Sequence, residues 1–242
     1  MIEDAEKKGI LKTGNTIIEA SSGNTGISLA AIGKARGYKV IIVMPENASE
    51  ERKSTLRKYN AKIIYVKPEY WREKAVNFVR ELAEEKGYIF LNQYSNKANI
   101  SAQEKTGKEI LLQLEKFNVE PDFFIAGIGT GGTITGIAKI LRKKFPEIKI
   151  IGIIPEKGKR IEGLRRFDDH KPEVLDLRLI NKIVEVGENE AIKNTKKLIK
   201  RGVKVGVSSG AVYGIAKKLK GNIVTVFPDD LERYLSYKEL KL

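Results

Sequence analysis

Residues 122–144, DFFIAGIGTGGTITGIAKILRKK, run from an unbroken apolar stretch through four glycines into a segment whose apolar residues recur at helical spacing. A run that is apolar at successive positions, rather than at alternate ones, reads as a strand covered on both faces, the usual condition in a parallel sheet. Gly131 and Gly132 open the helix expected over Thr133 to Lys144, and Pro146 lies just past its end. The same unit recurs along the chain. TIIEA (16–20), YKVIIVM (38–44), AKIIYV (61–66), YIFL (88–91), IKIIGII (148–154), KIVEV (182–186) and NIVTVF (222–227) are further strand candidates, separated by amphipathic stretches suited to crossover helices. One of these helices is expected over Ile27–Arg36, opened by Thr25 and Gly26 and closed at Gly37. The fold class is therefore α/β. The polar stretch SNKANISAQEKTG, at the boundary region 96–107, divides the chain into two lobes, 1–100 and 101–242, each an open, mostly parallel sheet with flanking helices. There is no internal repeat and no low-complexity linker.

Composition removes several function classes. The chain has 242 residues, 45 Lys plus Arg against 31 Asp plus Glu, one histidine and no cysteine. Without cysteine there is no disulfide framework, no thiolate metal site and no cysteine nucleophile, and the lone His170 cannot build a histidine cage, so no metal is expected. The formal charge of +14 invites a nucleic-acid reading. Yet the basic residues, Lys7, Lys8, Lys53, Lys58, Lys143, Lys144, Lys196 and Lys197 among them, are scattered over helix surfaces and not interleaved with aromatics, which reads as a solvated lysine surface. No apolar stretch approaches the roughly 20 residues that span a bilayer. Met1 is followed by Ile, Glu, Asp and Ala rather than by a basic and then apolar leader, so the expected setting is cytoplasmic, with neither membrane nor nucleic acid as partner.

Three turns rich in glycine and hydroxyl groups carry the chemistry, and each falls between a strand and a helix, where ligands of α/β proteins bind. The first, Ser21-Ser22-Gly23-Asn24-Thr25-Gly26, gathers backbone N–H groups and three hydroxyls, a set suited to a carboxylate or phosphate. A plain helix cap would use fewer of them. The second, Gly127-Ile128-Gly129-Thr130-Gly131-Gly132-Thr133, lets the backbone approach a phosphate closely. It also fits G-x-G-x-x-G with Glu156 past the next strand, so a nicotinamide-dinucleotide oxidoreductase is a competing reading. The third, Gly206-Val207-Ser208-Ser209-Gly210, matches the nucleophile elbow of α/β-hydrolases in form only. Hydrolases of that fold place histidine after serine, whereas His170 precedes Ser208. The plain alternative for Ser208 is a cap on a helix beginning near Ala211.

The motifs SSGNTG, GTGGT and GVSSGA, in that order, resemble the fold type II pyridoxal phosphate enzymes, and within them the cysteine synthase branch. Flanking segments agree: ARGYKVIIVMPENASEERKSTLRKYNAKIIYV, NQYSNKAN, TGKEI and FPDDLERYLS. IEGLRRF (161–167) is similar to the arginine-bearing segment of the cysteine synthase B type. The resemblance implies a tryptophan synthase beta-like fold, pyridoxal 5'-phosphate as cofactor, and β-replacement on O-acetyl- or O-phosphoserine by a sulfur donor to give cysteine. It also implies a homodimer in the full-length form. By the same resemblance Asn24 meets the cofactor's phenolic oxygen, Gly129, Thr130, Gly131, Gly132 and Thr133 hold its phosphate, and Ser208 bonds its pyridine nitrogen. Ser21, Ser22, Gly23, Thr25 and Gln93 surround the substrate carboxylate, and Arg165 or Arg166 meets the leaving group, with Arg165 preferred.

In the family the Schiff-base lysine lies in an S-x-K-D-R type motif preceding the helix that here begins at Met1. The resemblance thus implies an N-terminally truncated fold with no catalytic residue inside 1–242, and a mis-start, a split enzyme or a non-catalytic remnant that binds cofactor and amino acid as the explanations. Smaller departures are Ser21 in place of threonine, Leu231 in place of glycine, and a TGKEI segment without the usual second threonine and proline.

Overall fold

The computed structural model describes residues 1–71, 73–168 and 171–240. His170 lies outside the described residues. They fall into two compact units, Met1–Asn96 and Lys97–Leu242.

The first unit holds a four-stranded, all-parallel sheet in the order β3-β2-β1-β4, built from β1 (Thr16–Ala20), β2 (Lys39–Pro45), β3 (Lys62–Val66) and β4 (Ile89–Phe90). Helices α1 (Ile2–Lys7), α2 (Asn24–Ala35), α3 (Glu50–Lys58) and α4 (Glu73–Lys86) flank it. The apolar runs divide their side chains between two cores. Ile17, Ile42 and Met44 pack with Ile27 and Leu29 of α2 and Leu56 of α3, whereas Ile18, Ile41 and Val43 pack with Val79 and Ala83 of α4. Alternate residues point to opposite faces, so a strand with a core on each side is apolar at nearly every position.

The second unit repeats the plan in the order β7-β6-β5-β8, with β5 (Phe123–Gly127), β6 (Lys149–Pro155), β7 (Lys182–Val186) and β8 (Ile223–Thr225), again all parallel. Phe124, Ala126 and Ile150 meet α6 (Gly132–Lys144), beside the long α5 (Lys97–Phe117). Ile125, Ile151 and Ile153 meet α7 (Glu188–Lys200) and α8 (Val207–Ala216). Glycines let these helices close in. A Cβ on Gly136 of α6 would lie 2.5 Å from Gln103 Cβ and 2.6 Å from the Ile100 carbonyl of α5.

Every apolar run named from sequence contains a strand: TIIEA and KIVEV along their whole length, whereas β2 and β6 run on to Pro45 and Pro155, one residue past their runs. Two helices depart from expectation at their starts. α2 begins at Asn24, inside the first hydroxyl-rich turn, because Gly23 is extended and serves as its N-cap. α8 begins at Val207 behind Gly206, so Ser208 sits within its first turn and is not the cap of a helix at Ala211. The polar stretch 95–107 is largely the first half of α5. Among the described residues no helix is long and apolar enough to cross a membrane.

Candidate functional site

The turn between β1 and α2 is organised by Ser21. Its buried hydroxyl oxygen accepts the Gly26 N–H at 2.9 Å and the Gly23 N–H at 3.3 Å, satisfying the first turn of α2 from three residues before its start. Ser22, Gly23, Asn24 and Thr25 are half-buried beyond it. The Ser22 carbonyl accepts from Arg52 NH1 of α3 at 2.6 Å. Arg52 is 3% exposed, a guanidinium buried beside a turn suited to anions. Lys53 Nζ next to it donates to the Glu46 carbonyl at 2.7 Å and pairs with Glu50, fixing the first turn of α3.

Gln93 lies on the other side of the β1 exit. Its Nε2 donates to the Ala20 carbonyl at 2.9 Å, and its backbone N–H donates to Glu19 Oε2 at 3.2 Å. Glu19 Oε1 accepts the Ala20 N–H at 3.1 Å. Glu19 is fully buried, and loss of hydration pushes its carboxyl up to about 8 against the pull of these backbone N–H groups, so at neutral pH the acid is held uncharged. Within the first unit the structure thus brings Gln93 to the residue preceding Ser21.

In the second unit the glycine turn sits flush against its surroundings. Gly131 is left-handed, with φ of +92°, and a Cβ there would lie 2.6 Å from Leu175 Cβ. A Cβ on Gly132 would lie 2.2 Å from Asn99 Oδ1. Thr130 Oγ1 accepts from Asn99 Nδ2 at 3.2 Å and from the Gly132 N–H at 3.3 Å, and the Thr135 N–H bonds the Gly131 carbonyl at 3.0 Å. The result is a rigid turn at the N-terminus of α6, where the helix dipole and first-turn amides favour an anion.

Segment 161–167 joins this turn to Ser208. The Arg165 N–H donates to the Ile128 carbonyl at 2.8 Å, and the Gly163 carbonyl lies 2.8 Å from where a Cβ on Gly129 would be. Gly163, left-handed with φ of +85°, faces Ser208, whose Oγ would lie 3.7 Å from a glycine Cβ. Ser208 is 3% exposed and its hydroxyl has no hydrogen-bond partner. A buried hydroxyl without a partner is unfavourable by about 1–3 kcal/mol. Such a donor suits an acceptor atom brought by a ligand, as a pyridine nitrogen is. The FPDDLERYLS segment backs the site: the Gly206 N–H points at the Asp229 carbonyl, and Tyr234 OH donates to Asp229 Oδ2 at 2.8 Å.

The two arginines separate cleanly. Arg166 donates to Asp168 at 2.9 Å, to Glu185 at 2.9 Å and to the Pro155 carbonyl at 2.9 Å, and Asp168 and then Glu185 hold its proton more firmly than usual. It is a structural clamp. Arg165 is half-buried, and its backbone N–H ties segment 161–167 to Ile128 of the glycine turn. Glu156, the residue a dinucleotide reading needs for a ribose, has its carboxylate against Gly187 at the start of α7, with Oε2 3.0 Å from the position of a Cβ there. Sequence reasoning missed Arg52, Glu19 and Asn99. A signal existed for Arg52 alone: it stands four residues before Leu56, on the buried stripe of α3.

A model of the family "Pyridoxal-phosphate dependent enzyme" matches residues 1–229. Cysteine synthase of Staphylococcus aureus is 38% identical over 253 residues, covering 98% of this chain and 81% of that protein. Cysteine synthase B of Escherichia coli is 36% identical, with 98% and 80% covered. Among solved structures, a hydrogen sulfide-producing enzyme of Fusobacterium nucleatum superimposes with a TM-score of 0.90 at 37% identity, covering 99% of this chain and 77% of that one. An O-ureido-L-serine synthase gives 0.91 at 33%, with 98% and 80% covered. A family model matched along nearly the whole chain, and relatives more than a third identical over 98% of it, meet a fold whose buried, partnerless serine and rigid glycine turn suit that cofactor: the chain belongs to the pyridoxal-phosphate dependent enzymes.

Proposed function

We propose that this chain carries the machinery of a cysteine synthase: pyridoxal-phosphate dependent replacement of the β-substituent of an activated serine by a sulfur nucleophile, yielding cysteine. The observation that carries the reading is the partnerless buried hydroxyl of Ser208, held by segment 161–167 next to a glycine turn at a helix N-terminus. When bound, pyridoxal phosphate supplies an electron sink for bond breaking at the substrate's α-carbon. Gly129, Thr130, Gly131, Gly132 and Thr133 hold its phosphate through backbone N–H groups and hydroxyls in this reading. Ser208 donates a neutral hydrogen bond to the ring nitrogen, which tempers the sink relative to a charged partner and suits elimination and replacement at the β-carbon. Asn24 donates to the phenolic oxygen. Ser22, Gly23, Thr25 and Gln93 bind the substrate carboxylate, with Ser21 shaping the turn from beneath. Arg165 receives the leaving group, its fork being well matched to a phosphate. A small amino-acid substrate, a sulfur donor, a homodimeric full-length form and a cytoplasmic setting complete the reading.

Titration of the chain with pyridoxal phosphate and, in parallel, with a nicotinamide dinucleotide tests it. Saturable binding of pyridoxal phosphate, weakened at least about tenfold by Ser208→Ala or Thr133→Ala, is the expected result. Binding of the dinucleotide instead, or pyridoxal phosphate binding indifferent to both substitutions, overturns the proposal.

A further inference from the structure

Arg52 is a cation almost entirely removed from water, and its NH1 reaches the Ser22 carbonyl at 2.6 Å. The same NH1 would lie 3.9 Å from a Cβ on Gly23, so the guanidinium lies directly against the turn. The peptide between Ser22 and Gly23 is gripped at both ends: Arg52 takes its carbonyl, and Ser21 Oγ takes its N–H at 3.3 Å. A carbonyl oxygen carries partial negative charge, and one swung toward a bound carboxylate would repel it. The guanidinium prevents that motion, and its own charge, shielded from water, acts on an anion at the turn more strongly than a surface charge would. Its seat is firm, because Lys53 anchors the same turn of α3 to the Glu46 carbonyl.

We propose that Arg52 is a positioning residue that gives the turn at residues 21–26 its selectivity for a carboxylate over a neutral group of the same shape. The proposal rests on the reading of that turn as the substrate-carboxylate site. It concerns the amino-acid carboxylate and not the cofactor phosphate.

The test uses the full chain, 15N-labelled and saturated with pyridoxal phosphate, titrated with propionate and with its neutral counterpart propionamide while the backbone amides of residues 22–26 are followed by NMR. The parent is expected to bind propionate at least about tenfold more tightly than propionamide. Arg52→Met should bring that ratio close to one. Arg52→Lys, which keeps the charge and loses the fork, should keep most of the ratio while weakening both ligands a few-fold. An Arg52→Met chain that retains the parent's ratio overturns the proposal, as does equal weakening of both ligands, the mark of a merely structural role. If Arg52→Met fails to give a folded spectrum, Arg52→Gln, which keeps an N–H donor and removes the charge, decides: a ratio close to one supports the proposal, and a ratio kept at the parent's value overturns it. Parent amides that stay still as propionate is added, despite bound cofactor, remove the carboxylate reading of the turn itself.

Discussion

Glu19 shows how much a single buried group can govern. Its carboxyl ionises near 8 in the folded chain and at its ordinary 4.5 when exposed, so between those values the folded state holds a proton that the unfolded state has released. Stability from this group is therefore fully present below about pH 4.5 and declines as pH rises toward 8, by up to about 1.4 kcal/mol per pH unit. Glu19→Gln should flatten the fall in denaturant midpoint between pH 5 and 8, even though the amide nitrogen meets one backbone N–H badly and lowers stability overall. An unchanged slope would show that Glu19 ionises normally. Nothing in the one-dimensional sequence marks this residue, since an acid at the end of TIIEA reads as a strand terminus facing water. Arg165 and Arg166 are adjacent and alike in sequence, yet their partners differ. On the proposed assignment, Arg165→Ala should weaken binding of O-phosphoserine to the cofactor-loaded chain more than binding of O-acetylserine. Arg166→Ala should lower the melting temperature and affect the two substrates equally, and the reverse pattern would exchange their roles.

At the level of elements, the apolar runs announced the strands, and the reason is physical: an all-parallel sheet covered on both faces leaves its central strands few polar positions, of which Glu19 in β1 is one. β2 and β6 are buried from their second residue onward. Edge strands were harder to delimit. YIFL yields only Ile89–Phe90 and NIVTVF only Ile223–Thr225: each pairs on one side alone and leaves the sheet while its neighbour runs on to Ala20 or Gly127. Helix starts were the least legible, since the glycine that caps α8 and the serine that bonds the first turn of α2 from three residues upstream act through three-dimensional reach. The packing of α5 on α6 gives a further test. Gly136→Ala places a methyl against backbone as well as side chain, and a loss of about 1–3 kcal/mol is expected in urea unfolding. A neutral substitution would mean that the two helices part easily.

For the molecule as a whole, the net charge of +14 bears on encounter with anionic ligands more than on the fold. The association rate with pyridoxal phosphate should fall about several-fold between low and high salt, while the dissociation rate stays nearly constant. Stopped-flow fluorescence reads both, and a salt-independent association rate would show that the charge lies too far from the site to steer. The sheets carry a consequence of another kind. In each unit two strands, β1 and β2 or β5 and β6, have a parallel neighbour on both sides and a hydrophobic core on both faces, so their amide protons are reached by water only when the unit opens as a whole. Those four strands are where deuterium should enter last, and the delay there is a direct reading of how rarely each half of the protein stands fully open.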